Sequence, residues 1–337
     1  MLNKNNPSIT FIVPAYNVQD YLDKCIKSII NQSSNDWEII VIDDGSTDGT
    51  LRCCESYKSL ISRLTIIHQN NRGQGAARNV GTRLAKGRLI CYVDADDWLD
   101  PKLAEDVILA MDESDADFVN FGFEFVAPTG KINKKFNKFN FDILRGLNIL
   151  EDALLDKNIY SIPWNKVYRK SFLDKYKIGF PETRAYEDIY YSKLVSKFSK
   201  KCIFINKIYY HALIRKDSVT RSMNSISFLE ALSILKAEEI DLIGDHALER
   251  TKTIFLAHGV KMLAAFLVHA AYRVSDFNEY LKCYEIVSAS FYKVSSSRND
   301  VTKYLSLKHQ LMIKITKYPI VNRVLAQLLK ILRIHPY

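Results

Sequence analysis

The stretch Leu89–Leu99, LICYVDADDWL, runs an apolar strand straight into three carboxylates, Asp94, Asp96 and Asp97. Carboxylates repel one another and are costly to bury without partners. Asp94 and Asp96 stand two apart, so an extended chain projects both to the same side. A hard divalent ion that keeps some of its water and also binds phosphate oxygens suits such a pair. An acidic, helix-capping turn ahead of Pro101 accounts for the same residues. This segment alone leaves both readings open.

The same pattern recurs upstream. Apolar runs at Ile9–Val13, Trp37–Ile42 and Leu64–His68 predict strands, and Leu89–Val93 and Phe118–Phe125 continue the series. Between them the spacing predicts helices: one with Leu22, Cys25, Ile26, Ile29 and Ile30 on a single face, and one running to about Ser62. Two more are expected over about Gly75–Ala85, with Gly87 just past its end, and from Lys102 to about Glu113. Strands alternating with helices in this way mean βαβ units and a mainly parallel sheet. Ligands of such sheets gather beyond the carboxyl ends of the strands. Four consecutive ends carry Pro14-Ala15-Tyr16-Asn17, Asp43 to Asp48, QNNRGQGAARN from Gln69 to Asn79, and the DADD run. Their convergence on one rim favours a binding site over an isolated acidic turn.

Two motif look-alikes fail on context. Gly73-Gln74-Gly75-Ala76-Ala77-Arg78 begins like a dinucleotide fingerprint, but it follows the third strand, and Arg78 stands where the last glycine belongs. An arginine in a glycine-rich loop that opens a helix suggests a phosphate contact instead. Asp44 to Glu55 nearly fits a calcium-binding EF-hand loop, yet a strand rather than a helix precedes it, and Asp48 reads as a helix cap. Glu187-Asp188 reads as favourable charge at a helix start unless a base is needed there. His211, alone at a strand end, reads as structural or as a ligand.

Bulk properties narrow the class. The chain has 337 residues, 47% hydrophobic and 25% charged, which suits one large or two ordinary globular domains. Six cysteines lack metal-ligand or redox spacing and read as reduced core residues. Polar LNKNNPS leads directly into a strand, which predicts no signal peptide. Ile254–Tyr272 is apolar but interrupted by His258, Lys261 and His269, and reads as a buried helix rather than a span. Net charge is +9, and Val301–Tyr337 holds seven Lys or Arg and no acid. Its apolar residues recur at mostly helical spacing, so this basic amphipathic tail is expected to lie on an anionic membrane surface. Nucleic acid is not expected as a partner, because no binding motif accompanies the charge. Lys131–Tyr160 reads as an irregular basic and aromatic insertion, Ser161–Phe172 as β-rich and Cys202–Tyr210 as a strand. Helical periodicity dominates from Ser225 onward.

Taken together, PAYN at Pro14–Asn17, EIIVIDDGSTDGT at Glu38–Thr50, GAARNVG at Gly75–Gly81 and YVDADDWL at Tyr92–Leu99 resemble the family 2 glycosyltransferases. The looser segments WNKVYRKSFL, FPETRAYEDIYYS and YYHALIRKDSVT resemble the acceptor side of bacterial members. The resemblance implies an α/β GT-A fold over residues 1–224, with 1–100 binding nucleotide sugar and 101–224 facing the acceptor. A helical region over 225–337 would follow.

The resemblance also implies roles for individual residues. Pro14, Ala15 and Tyr16 would line the uracil and ribose pocket, and Asp43 would accept a hydrogen bond from the base. Arg78 would lie near the nucleotide, Asp94 and Ala95 near the ribose, and Arg215 and Ser218 over the diphosphate. Asp96 would hold Mg²⁺ or Mn²⁺, with His211 a second candidate ligand, although a tyrosine is frequent at that place in the family. Asp97 would be structural support. Asp188, with Glu187 beside it, would be the base of an inverting transfer. The implied enzyme moves a hexose or N-acetylhexosamine from a UDP-sugar to a glycan acceptor, as in capsule, O-antigen or exopolysaccharide synthesis. Its acceptor would be a lipid-linked oligosaccharide at the cytoplasmic membrane face. Two rivals are a sugar nucleotidyltransferase, whose first strand would lead into a glycine-rich basic loop, and a non-catalytic binding protein on the same fold.

Overall fold

The computed structural model describes residues 6–183, 186–215, 225–242, 249–295 and 299–331. It divides into two compact units, Met1–Ala153 with Asn158–Lys216, and Leu154–Lys157 with Asp217–Tyr337.

In the first unit the elements run β1 (Ile9–Ala15), α1 (Leu22–Ile30), β2 (Trp37–Asp43), α2 (Thr50–Ser56), β3 (Leu64–His68), α3 (Gln74–Leu84), β4 (Leu89–Tyr92) and β5 (Trp98–Leu99). They continue with α4 (Leu103–Asp112), β6 (Phe118–Val126), β7 (Ile132–Phe136), β8 (Ile143–Arg145), α5 (Leu147–Leu155), β9 (Lys166–Arg169), α6 (Lys170–Lys175), α7 (Glu187–Phe198) and β10 (Lys201–Leu213). One sheet collects all ten strands in the order β3-β2-β1-β4-β9-β6-β10-β5, with β7 beside β6 and β8 beside β10. The half from β3 to β4 is parallel throughout. β9 lies antiparallel to both β4 and β6, and β6 pairs with β10 in parallel.

Both faces are covered, which is why these strands read as continuous apolar runs rather than alternating ones. Period-2 alternation divides their side chains between two cores. Phe11, Val13, Ile39 and Val41 pack with α1 and α4 through Leu22, Ile26, Leu103 and Val107. Ile12, Ile40 and Ile42 pack with Ala77 of α3, Phe172 of α6 and Tyr191 of α7. The helix expected to reach Ser62 stops at Ser56, where Tyr57 and Leu60 turn the chain toward β3. The segment expected to be β-rich from Ser161 to Phe172 forms only β9 before α6 begins.

The second unit is helical: α8 (Ser225–Leu242), α9 (Glu249–Arg273), α10 (Phe277–Ser295), a 3₁₀ turn at Asn299–Tyr304, α11 (Leu307–Thr316) and α12 (Pro319–Ile331). α9 is long and apolar enough to cross a membrane, yet about two-thirds of that stretch is buried among its neighbours. Ile254, Ala257, Leu263, Ala264 and Leu267 make it the core helix of this unit.

Candidate active site

The loops that follow β1, β2 and β3 are stitched together by side chains. Asn17, at φ 51, accepts a hydrogen bond from the Thr47 amide (2.8 Å), while its own amide donates to Ser46 Oγ. Asp44 accepts from the Arg72 and Gly73 amides (2.9 and 2.8 Å) and from Gln69 Nε2 (2.7 Å). Gly45 turns at φ 76, and a Cβ there would meet the Asn71 amide at 2.9 Å, so the loop closes only around glycine. Neighbouring Asp43 is fully buried and bonded through Oδ2 to His68 Nδ1 (2.6 Å). Its Oδ1 is buried with no partner among the described residues. Pro14 and Ala15 are the last residues of β1, with buried side chains at the strand end that opens onto this rim. Tyr16, 44% exposed, is the part of that motif left open to a ligand.

The DADD run is set by β5, which pairs with β10 so that Trp98 faces His211 and Leu99 faces Tyr210. Tyr210 OH donates to Asp97 Oδ2 (2.7 Å) and accepts from the Asp94 amide (3.0 Å), and the Leu213 amide donates to Asp97 Oδ1 (2.7 Å). Asp97 therefore fastens the loop from beneath. Burial first, and then the charges of Asp96 and Asp94, push the Asp97 carboxyl well above its usual range. Burial and Asp94 also raise Asp96, with Arg215 opposing. Arg215 Nε sits 2.8 Å from Asp96 Oδ2, and its guanidinium lies over the Tyr21 ring. Here Arg215 pairs with the carboxylate rather than with a phosphate. Ala95 is buried, and Ser218 lies outside the described residues.

His211 stacks on Trp98 (5.3 Å between centroids, 14° between planes), and its Nδ1 is 2.9 Å from Glu124 Oε1. Glu124 takes up the Nδ1 side of the ring, so Nε2 is the nitrogen left for a ligand. The register of β10 on β6 puts Glu124 opposite His211. Among the described residues no three His, Cys, Asp or Glu side chains are gathered as a finished metal cluster. The excess carboxylate charge and the oxygen and imidazole donors at Asp96 and His211 nonetheless fit a divalent ion.

Arg78 is held by carboxylates. It is buried at 2% exposure, with Nη2 2.8 Å from Asp94 Oδ1 and Nη1 3.1 Å from Glu187 Oε1. Burial alone would lower its affinity for a proton, but Asp94 and Glu187 hold it above the ordinary arginine value. Its guanidinium bridges the DADD loop to the start of α7 through both Nη atoms. The two elements approach closely at Gly75, where a Cβ would sit 3.0 Å from Glu187 Cγ and 3.1 Å from Phe180 Cβ. Asp188 follows Glu187 in the first turn of α7. Burial, then the neighbouring charge of Glu187, raises its carboxyl to about 7, against the pull of Arg78.

Asp44 thus anchors the loop after β3 rather than opening an EF-hand, and Glu124 is a site residue that no motif marks. A lone acid inside the apolar strand FVNFGFEFV was the available signal for Glu124.

A parallel-edged sheet with a buried acidic loop at one strand end, a half-buried carboxylate titrating near neutrality and a polar rim defines a nucleotide-dependent transferase of the GT-A kind. The family model for glycosyl transferase family 2 matches residues 10–177, and this chain belongs to that family. EpsH of Bacillus subtilis is 29% identical over 247 residues, 72% of this chain and 71% of its own length. The glycosyltransferase GlyA of Streptococcus pneumoniae is 31% identical over 250 residues, 70% of this chain but 35% of its own. The fold of Staphylococcus aureus TarS 1-349, solved in complex with UDP-GlcNAc, superimposes with a TM-score of 0.72 at 18% identity, covering 97% of this chain and 93% of that one.

Proposed function

We propose that this glycosyltransferase takes its sugar from a UDP-sugar and passes it with inversion to a hydroxyl of a glycan acceptor. The acceptor is a lipid-linked oligosaccharide of a surface polysaccharide, met at the inner face of the cell membrane. The observation that carries the reading is the coupling of Asp188, raised to about 7, through Glu187 and Arg78 to Asp94 of the DADD loop. A base poised near neutral pH beside an acidic, diphosphate-ready loop is what single displacement at an anomeric carbon requires.

On this reading the UDP base meets Tyr16 and donates its N–H to Asp43 Oδ1, the buried acceptor without a described partner. TarS, whose fold this chain shares, has been solved with UDP-GlcNAc, and that supports the uridine assignment. Asp94, Ala95 and Arg215 border the ribose and diphosphate. Asp96, with His211 Nε2, would hold Mg²⁺ or Mn²⁺, which neutralises the charge developing on departing UDP. Glu124 keeps the His211 ring oriented toward that position. Asp188 removes the acceptor proton as the hydroxyl oxygen bonds to the anomeric carbon. The bond from that carbon to the UDP oxygen breaks in the same displacement, its electron pair leaving with UDP, and Asp188 is left protonated.

A panel of nucleotide sugars with Mn²⁺, scored by UDP release, tests the assignment. UDP-sugars are expected to turn over, and Asp96→Ala to lose at least a hundredfold in turnover together with metal-dependent UDP binding. Pyrophosphate release from UTP and a sugar phosphate would instead mark a nucleotidyltransferase.

A further inference from the structure

α12 is mounted inside out. Its polar side chains point into the helical unit: Asn322 Nδ2 donates to the Leu267 carbonyl (2.9 Å), Gln327 Nε2 to that of Ala271 (2.9 Å), and Arg323 to those of Ala271 and Ser275 (2.8 Å each). Ala271 is in the last turn of α9 and Ser275 lies just beyond it, where a helix end leaves carbonyls without partners, and Leu267 sits one turn further in. Asn322 and Ala326 are buried. Inward polarity leaves the other side of α12 to Ile320, Val321, Val324, Leu325 and Leu328, at 38–67% exposure and helical spacing. Tyr318 at the preceding turn, and Leu307 and Leu311 of α11, are exposed as well. A surface helix of a soluble protein turns such a stripe inward, and a contiguous apolar patch marks an interaction site.

We propose that the outward face of α12 is the surface by which this protein docks on an anionic lipid bilayer, with the helix lying in the membrane plane. The proposal rests on the membrane placement argued above and on nothing in the donor site. Charge selects the occupant. Lys308 and Lys314 of α11 and Lys317 in the turn into α12 are exposed, and no acidic residue occurs from Val301 to Tyr337. Two copies meeting through this face would oppose lysine to lysine, whereas anionic headgroups complement them. The stripe offers five aliphatic side chains, well short of the roughly 20–30 residues a side of a stable protein interface. A few inserted aliphatics plus flanking lysines suffice for reversible binding to a bilayer.

The test is flotation of the full chain with phosphatidylcholine vesicles, with and without phosphatidylglycerol. The wild type is expected to float with the anionic vesicles. Val324→Ser/Leu328→Ser removes outward groups only, so it should keep the wild-type melting temperature and UDP release from a soluble acceptor while vesicle binding falls at least about tenfold. Lys314→Gln and Lys317→Gln should each weaken binding about fivefold on anionic vesicles alone. If the wild type floats and the Ser pair floats equally well, α12 is not the docking surface. A wild type that floats with neither kind of vesicle removes the membrane placement itself. A wild-type dimer in light scattering that the Ser pair dissociates would make a second copy the occupant.

Discussion

Asp188 keeps its proton to about pH 7 because burial and the charge of Glu187 disfavour the carboxylate more strongly than Arg78 favours it. A base must be ionised to accept a proton, so turnover with saturating substrates is expected to rise about tenfold per pH unit below 7 and to level off above it. The linkage to stability runs the other way. The folded pKa lies above the unfolded one, so the stability this group contributes is present below the unfolded value near 3.8 and is lost as pH rises through about 7. Asp188→Asn should therefore cut turnover by roughly 10²–10⁴, leave UDP affinity unchanged, and melt at pH 8 no lower than the wild type. A pH-rate profile and paired thermal melts check both signs, and normal activity in Asp188→Asn would remove it as the base. The acidic pair itself was legible in FPETRAYEDIYY, since two acids at a helix start stand out. Its raised pKa was not, because it comes from a fold that packs Glu187, Arg78 and Asp94 around it across 109 residues of chain.

Arg78 acts at the scale of elements, since it joins α3, the loop after β4 and the start of α7. Arg78→Ala leaves Asp94 and Glu187 buried without their cation, which is expected to cost about 3–5 kcal/mol of unfolding free energy. Urea denaturation measures this. A loss within about 0.5 kcal/mol, the size of an ordinary surface substitution, would show that the bridge does not hold these elements together. The sequence suggested a phosphate contact for Arg78 because a glycine-rich turn opening a helix resembles an anion cradle. What the sequence does not show is that carboxylates from two other elements, Asp94 and Glu187, reach its guanidinium. The parallel half of the sheet was legible for the opposite reason. β1, β2 and β4 each announce themselves by an apolar run, and their neighbours follow from short right-handed crossovers. β5, two residues long, carries no such signal, and the β-rich character of Ser161–Phe172 does not tell that β9 slips antiparallel between β4 and β6. Yet β5 aligns the DADD loop with His211.

Across the whole molecule, charge and apolar surface are divided unevenly. Val301–Tyr337 carries seven of the 47 Lys and Arg and none of the 38 acids, so it accounts for +7 of the net +9. Composition alone suggested a basic amphipathic tail, but it did not reveal which face of α12 points outward. That depends on Arg323 and Gln327 finding carbonyls at the end of α9 and Asn322 one a turn earlier, a tertiary choice that helical periodicity does not encode. The two kinds of surface respond differently to salt. Raising ionic strength from 0.1 to 1 M shortens the screening length from about 10 Å to about 3 Å. Attraction between the exposed lysines and anionic headgroups should then collapse, while insertion of Val324 and Leu328 should persist or strengthen slightly. Donor turnover with a soluble acceptor should change little over the same range, because Arg78 and Glu187 are buried and Asp94 is half-buried against them. Flotation at both salt concentrations, with UDP release measured in parallel, separates the two. A parallel loss of turnover and vesicle binding would mean that the charges of the catalytic unit, not those of the tail, dominate contact with the bilayer.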